Sequence, residues 1–186
     1  GFTTPPKLTI KSLLSFATHP MWSINYLTHE KFQLANVSHF TKKGSSIAKG
    51  VMEYINEQYD PKMNWQDAEY CIKRWGGPFA IKGVMSVEDA KRAVEIGASA
   101  IMLSNHGGRQ LDGSRSPFDQ LDEIIDAVGG KIDIICDGGI RRGSHILKAL
   151  SKGANACSGG RLYLYALASG GEVGVTKAIE NLKNEV

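Results

Sequence analysis

From residue 64 onward, short apolar runs alternate with amphipathic stretches, and no other feature of this 186-residue chain constrains its fold as tightly. Asn64 caps a predicted helix from Trp65 to Trp75, stopped by Gly76-Gly77-Pro78. Phe79 to Val84 reads as a buried strand. Ser86 then caps a second helix with Asp89 in the capping-box position, and Gly97 ends it. Ala100 to Ser104 is the next strand, and Ser116-Pro117 opens a helix through Val128. Strands at Ile132 to Cys136 and Ala154 to Ser158, with helices at His145 to Leu150 and about Val173 to Asn184, complete the rhythm. Strands that are apolar along their whole length, each followed by a helix, predict an α/β fold with a parallel sheet and helices packed outside it.

Polar residues recur directly after these strands. Lys82 ends the first, Ser104 to Arg109 follow the second, Asp137 to Arg141 the third, and Gly160-Arg161 the fourth. Chemistry gathered at one end of successive parallel strands marks the catalytic face of a (β/α)8 barrel. The rival, a doubly wound sheet, more often places one dominant glycine loop after its first strand.

Residues 1 to about 60 have a different texture, with no strand–helix rhythm. A short helix is expected over Ser12 to Phe16, stopping before Pro20, and another over Ile47 to Gln58. Met21 to Leu27 is apolar and aromatic. A net charge of +3, with no basic run longer than short pairs such as Lys42-Lys43 and Arg141-Arg142, argues against nucleic acid as a partner. Three cysteines without metal-type spacing predict neither a disulfide framework nor a zinc site. No apolar run reaches the ~20 residues of a membrane span, and no signal peptide is recognisable. A cytoplasmic location is the expectation.

Ser104-Asn105-His106-Gly107-Gly108-Arg109-Gln110-Leu111-Asp112 places an imidazole and a guanidinium three residues apart on a tight turn. An imidazole exchanges protons near neutral pH. A guanidinium grips a carboxylate with two parallel hydrogen bonds. The pair suits a small anion that must lose a proton, with His106 as base and Arg109 as anion clamp. Asp137-Gly138-Gly139-Ile140-Arg141, between a strand and a helix, has the make-up of a phosphate cradle, and Gly160-Arg161 repeats the theme one strand later. Lys82, at the end of an apolar strand, suits an electron-rich cofactor whose reduced, anionic form it can stabilise.

Together these residues resemble the FMN-dependent α-hydroxy acid dehydrogenases and oxidases, a family that includes glycolate oxidase, flavin-type L-lactate dehydrogenase and mandelate dehydrogenase. The likeness runs from about Phe79 to the C-terminus, with a weaker match at Gly1 to Leu8. It implies a TIM barrel binding FMN at its strand ends, of which this chain carries the C-terminal half, about four βα units over residues 61–186. Residues 1–60 then correspond to the variable loop segment after barrel strand four. The resemblance implies that His106 is the catalytic base and Arg109 binds the substrate carboxylate. Lys82 would lie by the flavin ring, Ser104 by the flavin or its ribityl chain, and Asp137 by the ribityl hydroxyls. Gly138, Gly139, Ile140, Arg141, Gly160 and Arg161 would form the phosphate site, and Asp112 would lock the signature loop. The implied reaction oxidises an (S)-2-hydroxy acid such as lactate to the 2-oxo acid, and leaves the electron acceptor (oxygen, quinone or cytochrome) open.

Three further expectations follow. A half barrel has open strand edges, so a homo-oligomer is expected and the isolated chain is expected to have little activity. Residues 9–30 are a candidate for peripheral contact with the inner face of the membrane. The alternative function is a non-redox, phosphate-binding half-barrel module.

Overall fold

The computed structural model describes residues 9–29, 54 and 56–186. The chain divides into two compact units, Gly1–Lys62 and Met63–Val186.

In the first unit, Thr9 caps helix α1 (Ile10–Thr18) by accepting a hydrogen bond from the Ser12 N–H at 3.2 Å. The chain turns at His19, and Pro20 opens helix α2 (Pro20–Thr28), a position where the missing N–H of proline costs nothing. Ser23 closes the turn by donating to the Phe16 carbonyl at 2.8 Å. Phe16, Trp22 and Tyr26 stack, with ring centroids 5.5 and 5.3 Å apart. Neither helix buries a residue, and Ile10, Leu13, Leu14, Met21 and Leu27 are more than half exposed. The first helix is thus longer than the sequence predicts, and the apolar run after Pro20 forms a second. Of the helix expected over Ile47 to Gln58, only Tyr54 and residues 56–58 are described, as helical; the remainder, like Gly1 to Leu8, lies outside the described residues. Among the described residues no helix is long and apolar enough to cross a membrane.

The second unit is built on four short strands, β1 (Ala80–Lys82), β2 (Ala100–Leu103), β3 (Asp133–Asp137) and β4 (Ala156–Ser158). They pair in sequence order, β1-β2-β3-β4, all parallel. A doubly wound sheet reverses its strand order at a switch point; this sheet has none and follows the succession of barrel units. Its helices are α3 (Trp65–Trp75), α4 (Val87–Glu95), α5 (Pro117–Val128), α6 (Gly143–Lys152) and α7 (Arg161–Asn184).

Local chemistry places these helices where the sequence predicts, with one exception. Asn64 and Asp67 form a reciprocal capping box on α3, and Gly76, left-handed at φ 68, ends it. Ser86 and Ser116 each accept from the N–H three residues on. The exception is α7, expected from about Val173 but starting at Arg161. Gly170-Gly171 reads in sequence as a stop. In the structure it is a kink within the longer element, with Gly171 at φ 57.

The two faces of the sheet differ. Ile101, Leu103, Ile134 and Cys136 point toward the helices and are at most 1% exposed. They pack with Ala90, Ala93, Leu121, Ile124, Val128 and Ala149 into one core. Burying each large aliphatic side chain contributes roughly 1.5–3 kcal/mol. The opposite face carries Lys82, Met102, Ile135, Asp137 and Ala156, none of them buried. At its C-terminal edge that face becomes polar, and the predicted site residues gather there.

Candidate functional site

The strand register brings three polar residues to one level. Leu103 pairs with Cys136, so Ser104 follows beside Asp137, and Asp137 itself pairs with Ser158. Lys82 sits one step lower, in register with Met102, and its long side chain reaches up. Its Nζ donates to Ser104 Oγ at 2.8 Å and to Asp137 Oδ2 at 3.0 Å. The Ser104 hydroxyl donates in turn to Asp137 Oδ2 at 2.5 Å and accepts from the His106 N–H at 3.1 Å. One buried hydroxyl therefore joins a lysine, a carboxylate and the backbone of the signature loop.

This network keeps Asp137 ionised. Burial works against the charge, but hydrogen bonds from Ser104, Ser158 and Lys82, with the positive charge of Lys82, hold the carboxyl below its ordinary 3.8. Next door, burial pushes the Cys136 thiol up to about 11, with Cys157 and Asp137 adding to the effect. The neighbouring Cys157 thiol is also raised by burial. These two thiols belong to the inert, core-facing side of the sheet.

Beyond Ser104 the chain makes a sharp loop. His106, Gly107 and Gly108 are all left-handed, with φ of 56, 70 and 72, and His106 is the one non-glycine in that region among the described residues. Asn105 holds the loop closed: its Oδ1 accepts from the Gly108 N–H at 3.2 Å and its Nδ2 donates to the Arg115 carbonyl at 3.1 Å. The sequence reading gave that role to Asp112. Asp112 is exposed and, among the described residues, accepts only from the next residue, Gly113, so Asn105 is the lock. The His106 ring lies over Gly83, where an added Cβ would stand 3.1 Å from its Cε1. Gly83, left-handed at φ 97, gives the imidazole its place beside Lys82. Arg109 is exposed, and among the described residues nothing pairs with its guanidinium.

A cavity of ≈ 910 Å³ lies over these groups. Lys82, His106, Arg109 and Asp137 open onto it, and so do Gly138, Gly139, Ile140, Arg141, Gly160 and Arg161. Ser104 is 1% exposed and sits beneath, acting through Lys82 and Asp137. Every other residue expected to bind cofactor or substrate or to act as base lines the cavity, although they span β1 to α7. Gly138 and Gly139 are left-handed, at φ 93 and 73, and a Cβ added to either would enter open space. Arg161 donates to the Gly107 carbonyl at 2.6 Å, tying the start of α7 to the signature loop.

Two contributors were not foreseen. Ser158 lines the cavity and bonds Asp137; its place as the last residue of the fourth predicted strand could have flagged it. His145, read as structural or solvated, has Nδ1 3.1 Å from the Gly139 carbonyl and 3.3 Å from the Arg141 N–H. Nothing in its sequence context distinguishes it.

The family of FMN-dependent dehydrogenases matches residues 1–186. An L-lactate dehydrogenase of Actinobacillus pleuropneumoniae is 41% identical over 178 residues, covering 95% of this chain and 46% of the relative. One from Xanthomonas campestris is 40% identical over 185 residues, covering 97% and 47%. Among solved structures, the monotopic membrane protein (S)-mandelate dehydrogenase aligns with a TM-score of 0.88 at 36% identity, covering 98% of this chain and 48% of that one. The flavin-binding domain of baker's yeast flavocytochrome b2 aligns at 0.66 with 46% identity, over 68% of this chain and 33% of that one. The four strand–helix units are those of a TIM (β/α)8 barrel, and the chain spans just under half the length of the curated relatives it matches. On sequence, fold and the match along its whole length, the chain belongs to the FMN-dependent dehydrogenase family.

Proposed function

We propose that this chain supplies the flavin-binding and proton-accepting part of an enzyme that oxidises an (S)-2-hydroxy acid such as lactate to the 2-oxo acid. One observation carries the reading: Lys82, His106 and Arg109 open onto the same cavity as the two glycine–arginine segments. A base, a carboxylate clamp and a phosphate cradle share one space.

The residues fit FMN. The open positions at Gly138 and Gly139 let backbone N–H groups approach a phosphate, and Arg141, Arg161 and Gly160 add charge and room. Asp137, held ionised, accepts from ribityl hydroxyls, and Lys82 favours negative charge on the ring. When bound, FMN supplies the two-electron acceptor that no side chain here offers. Arg109 binds the substrate carboxylate and orients the hydroxyl-bearing carbon. His106 takes up a proton as the hydroxy acid becomes the oxo acid. The left-handed turn at His106, held by Ser104, fixes the ring against Gly83, so little reorganisation accompanies the proton transfer.

Two measurements test this. The protein is expected to bind FMN far more tightly than a simple sugar phosphate; equal affinity would sink the flavin assignment and favour a plain phosphate-binding module. In the complete enzyme of which this chain forms part, loaded with FMN and given lactate without oxygen, His106→Gln is expected to slow loss of the visible flavin absorbance by 100-fold or more, the scale of general base catalysis. Bleaching at the unaltered rate would remove His106 from the mechanism.

We also infer that residues 9–30 make peripheral contact with a membrane surface. The exposed Ile10, Leu13, Leu14, Met21, Trp22 and Leu27 of α1 and α2 support it, as does the monotopic character of the mandelate dehydrogenase relative. Co-sedimentation with anionic vesicles is expected, and its persistence after Leu13, Leu14 and Trp22 are changed to Ser would refute that role.

A further inference from the structure

We propose that Arg161 is a positioning residue for His106, and that its guanidinium couples anion binding at the glycine loops to the geometry of the base. This rests on reading those loops as an anion site, and the experiment below separates the two claims. Of the three consecutive left-handed residues His106 to Gly108, only His106 is not a glycine, and the strain of the signature loop falls on it. A non-glycine residue in that conformation is disfavoured and persists only where its surroundings hold it. Among the described residues, the hydrogen bonds that hold it from within residues 104–115 are those of Ser104 and Asn105. The remaining one comes from outside: Arg161 Nη2 to the Gly107 carbonyl, 2.6 Å, across 54 residues of sequence.

That contact shapes the residue it touches. A Cβ on Gly107 would collide with Arg161 Nη2, the tip of a flexible side chain, so any side chain at position 107 would push the guanidinium aside besides being strained at its φ of 70. Arg161 and Gly107 line both the site cavity and a smaller one of ≈ 470 Å³ behind the loop, so the contact forms part of the wall between them. A guanidinium has five N–H donors in a rigid fork. The Gly107 carbonyl takes one, and Arg161 lines the same cavity as Arg141, Gly138 and Gly139, which leaves donors for an anion bound there. An anion there immobilises Arg161 without displacing Gly107, and the loop one residue from His106 tightens. By linkage, a ligand that orders the loop strengthens the anion site equally.

Amide hydrogen exchange of the full chain, with and without inorganic phosphate, tests this. The readout is the His106 and Gly108 amides, and phosphate binding is followed independently by 31P NMR. Saturating phosphate is expected to slow both amides roughly tenfold, the scale of one charge-assisted hydrogen bond. In Arg161→Lys the two amides exchange faster without phosphate and no longer respond to it, while Arg141 and the glycines still bind it. An equal response in Arg161→Lys, or phosphate bound by the parent chain with no change in these amides, overturns the coupling. Absence of phosphate binding by the parent chain overturns the anion site and the coupling with it. The clamp on Gly107 is then judged by anion-free exchange alone, and unchanged exchange in Arg161→Lys refutes it. If Arg161→Lys does not fold, Gly107→Ala displaces the guanidinium while keeping its charge and is expected to loosen the same two amides; unchanged exchange there also refutes the clamp.

Discussion

The two faces of the four-stranded sheet obey different rules. Toward the helices, Ile101, Leu103, Ile134 and Cys136 are closed off, and their contribution is apolar area removed from water. Toward the cavity, Lys82, Ser104, Asp137 and Ser158 hold one another by hydrogen bonds and charge, and some of their donors stay open to solvent. Successive residues of one strand belong to different regimes: Cys136 is inert and Asp137, one position on, is charged. A parallel strand can therefore be read as a core element and still end in chemistry.

Substitutions that break this contrast differ in size. Ile134→Ala and Leu121→Ala, each at most 1% exposed in the parent, are expected to lower unfolding free energy by about 2–5 kcal/mol. Chemical denaturation measures this, and a loss below 1 kcal/mol would contradict the closed core. Asp137→Asn is expected to cost less, about 1–3 kcal/mol, because charged hydrogen bonds are lost but Lys82, half exposed, regains water. Its effect depends on pH. The carboxyl of Asp137 is held below 3.8 in the folded protein, so its contribution is complete above that value and fades as pH falls through the lower folded value. The stability curve of Asp137→Asn should lack that acid-side loss; a curve parallel to the parent would show that the network adds nothing.

Gly139→Ala forces a side chain into a left-handed position at φ 73, so about 1 kcal/mol of stability should go. The methyl would enter the cradle, so phosphate affinity should fall further than stability does. Equal affinity, measured by titration, argues against this loop as the phosphate site. Arg109→Lys, exposed and unpaired among the described residues, should change stability by less than about 0.5 kcal/mol. It should weaken a bound 2-oxo acid severalfold through loss of the bidentate grip. Unchanged affinity would free Arg109 from the role proposed.

Much of this was legible in the chain itself because the signals are local. Helix caps at Asn64, Ser86 and Ser116 rest on contacts within three residues, and the apolar runs mark strands that must be buried. The site was legible for a related reason: residues that follow consecutive strands of a parallel sheet are brought to one edge whatever the details of the helices. Missed features were those that depend on partners far away in sequence or on degenerate signals. Gly170-Gly171 has the composition of a break whether it ends a helix or kinks one. Asp112 and Asn105 are equally plausible loop locks until the backbone shows which carbonyls and N–H groups lie within reach.

By itself, then, the sequence determined the alternation of strands and helices, the signature loop and the family to which it belongs, since each is encoded in residues close together. The tertiary structure decided the rest. Strand register set Ser104 beside Asp137 and Asp137 opposite Ser158; the left-handed loop laid His106 over Gly83; and α7 began early enough to carry Arg161 onto Gly107. These juxtapositions join residues 20 or more positions apart. They follow from the packing of the whole sheet, which no local stretch of sequence specifies.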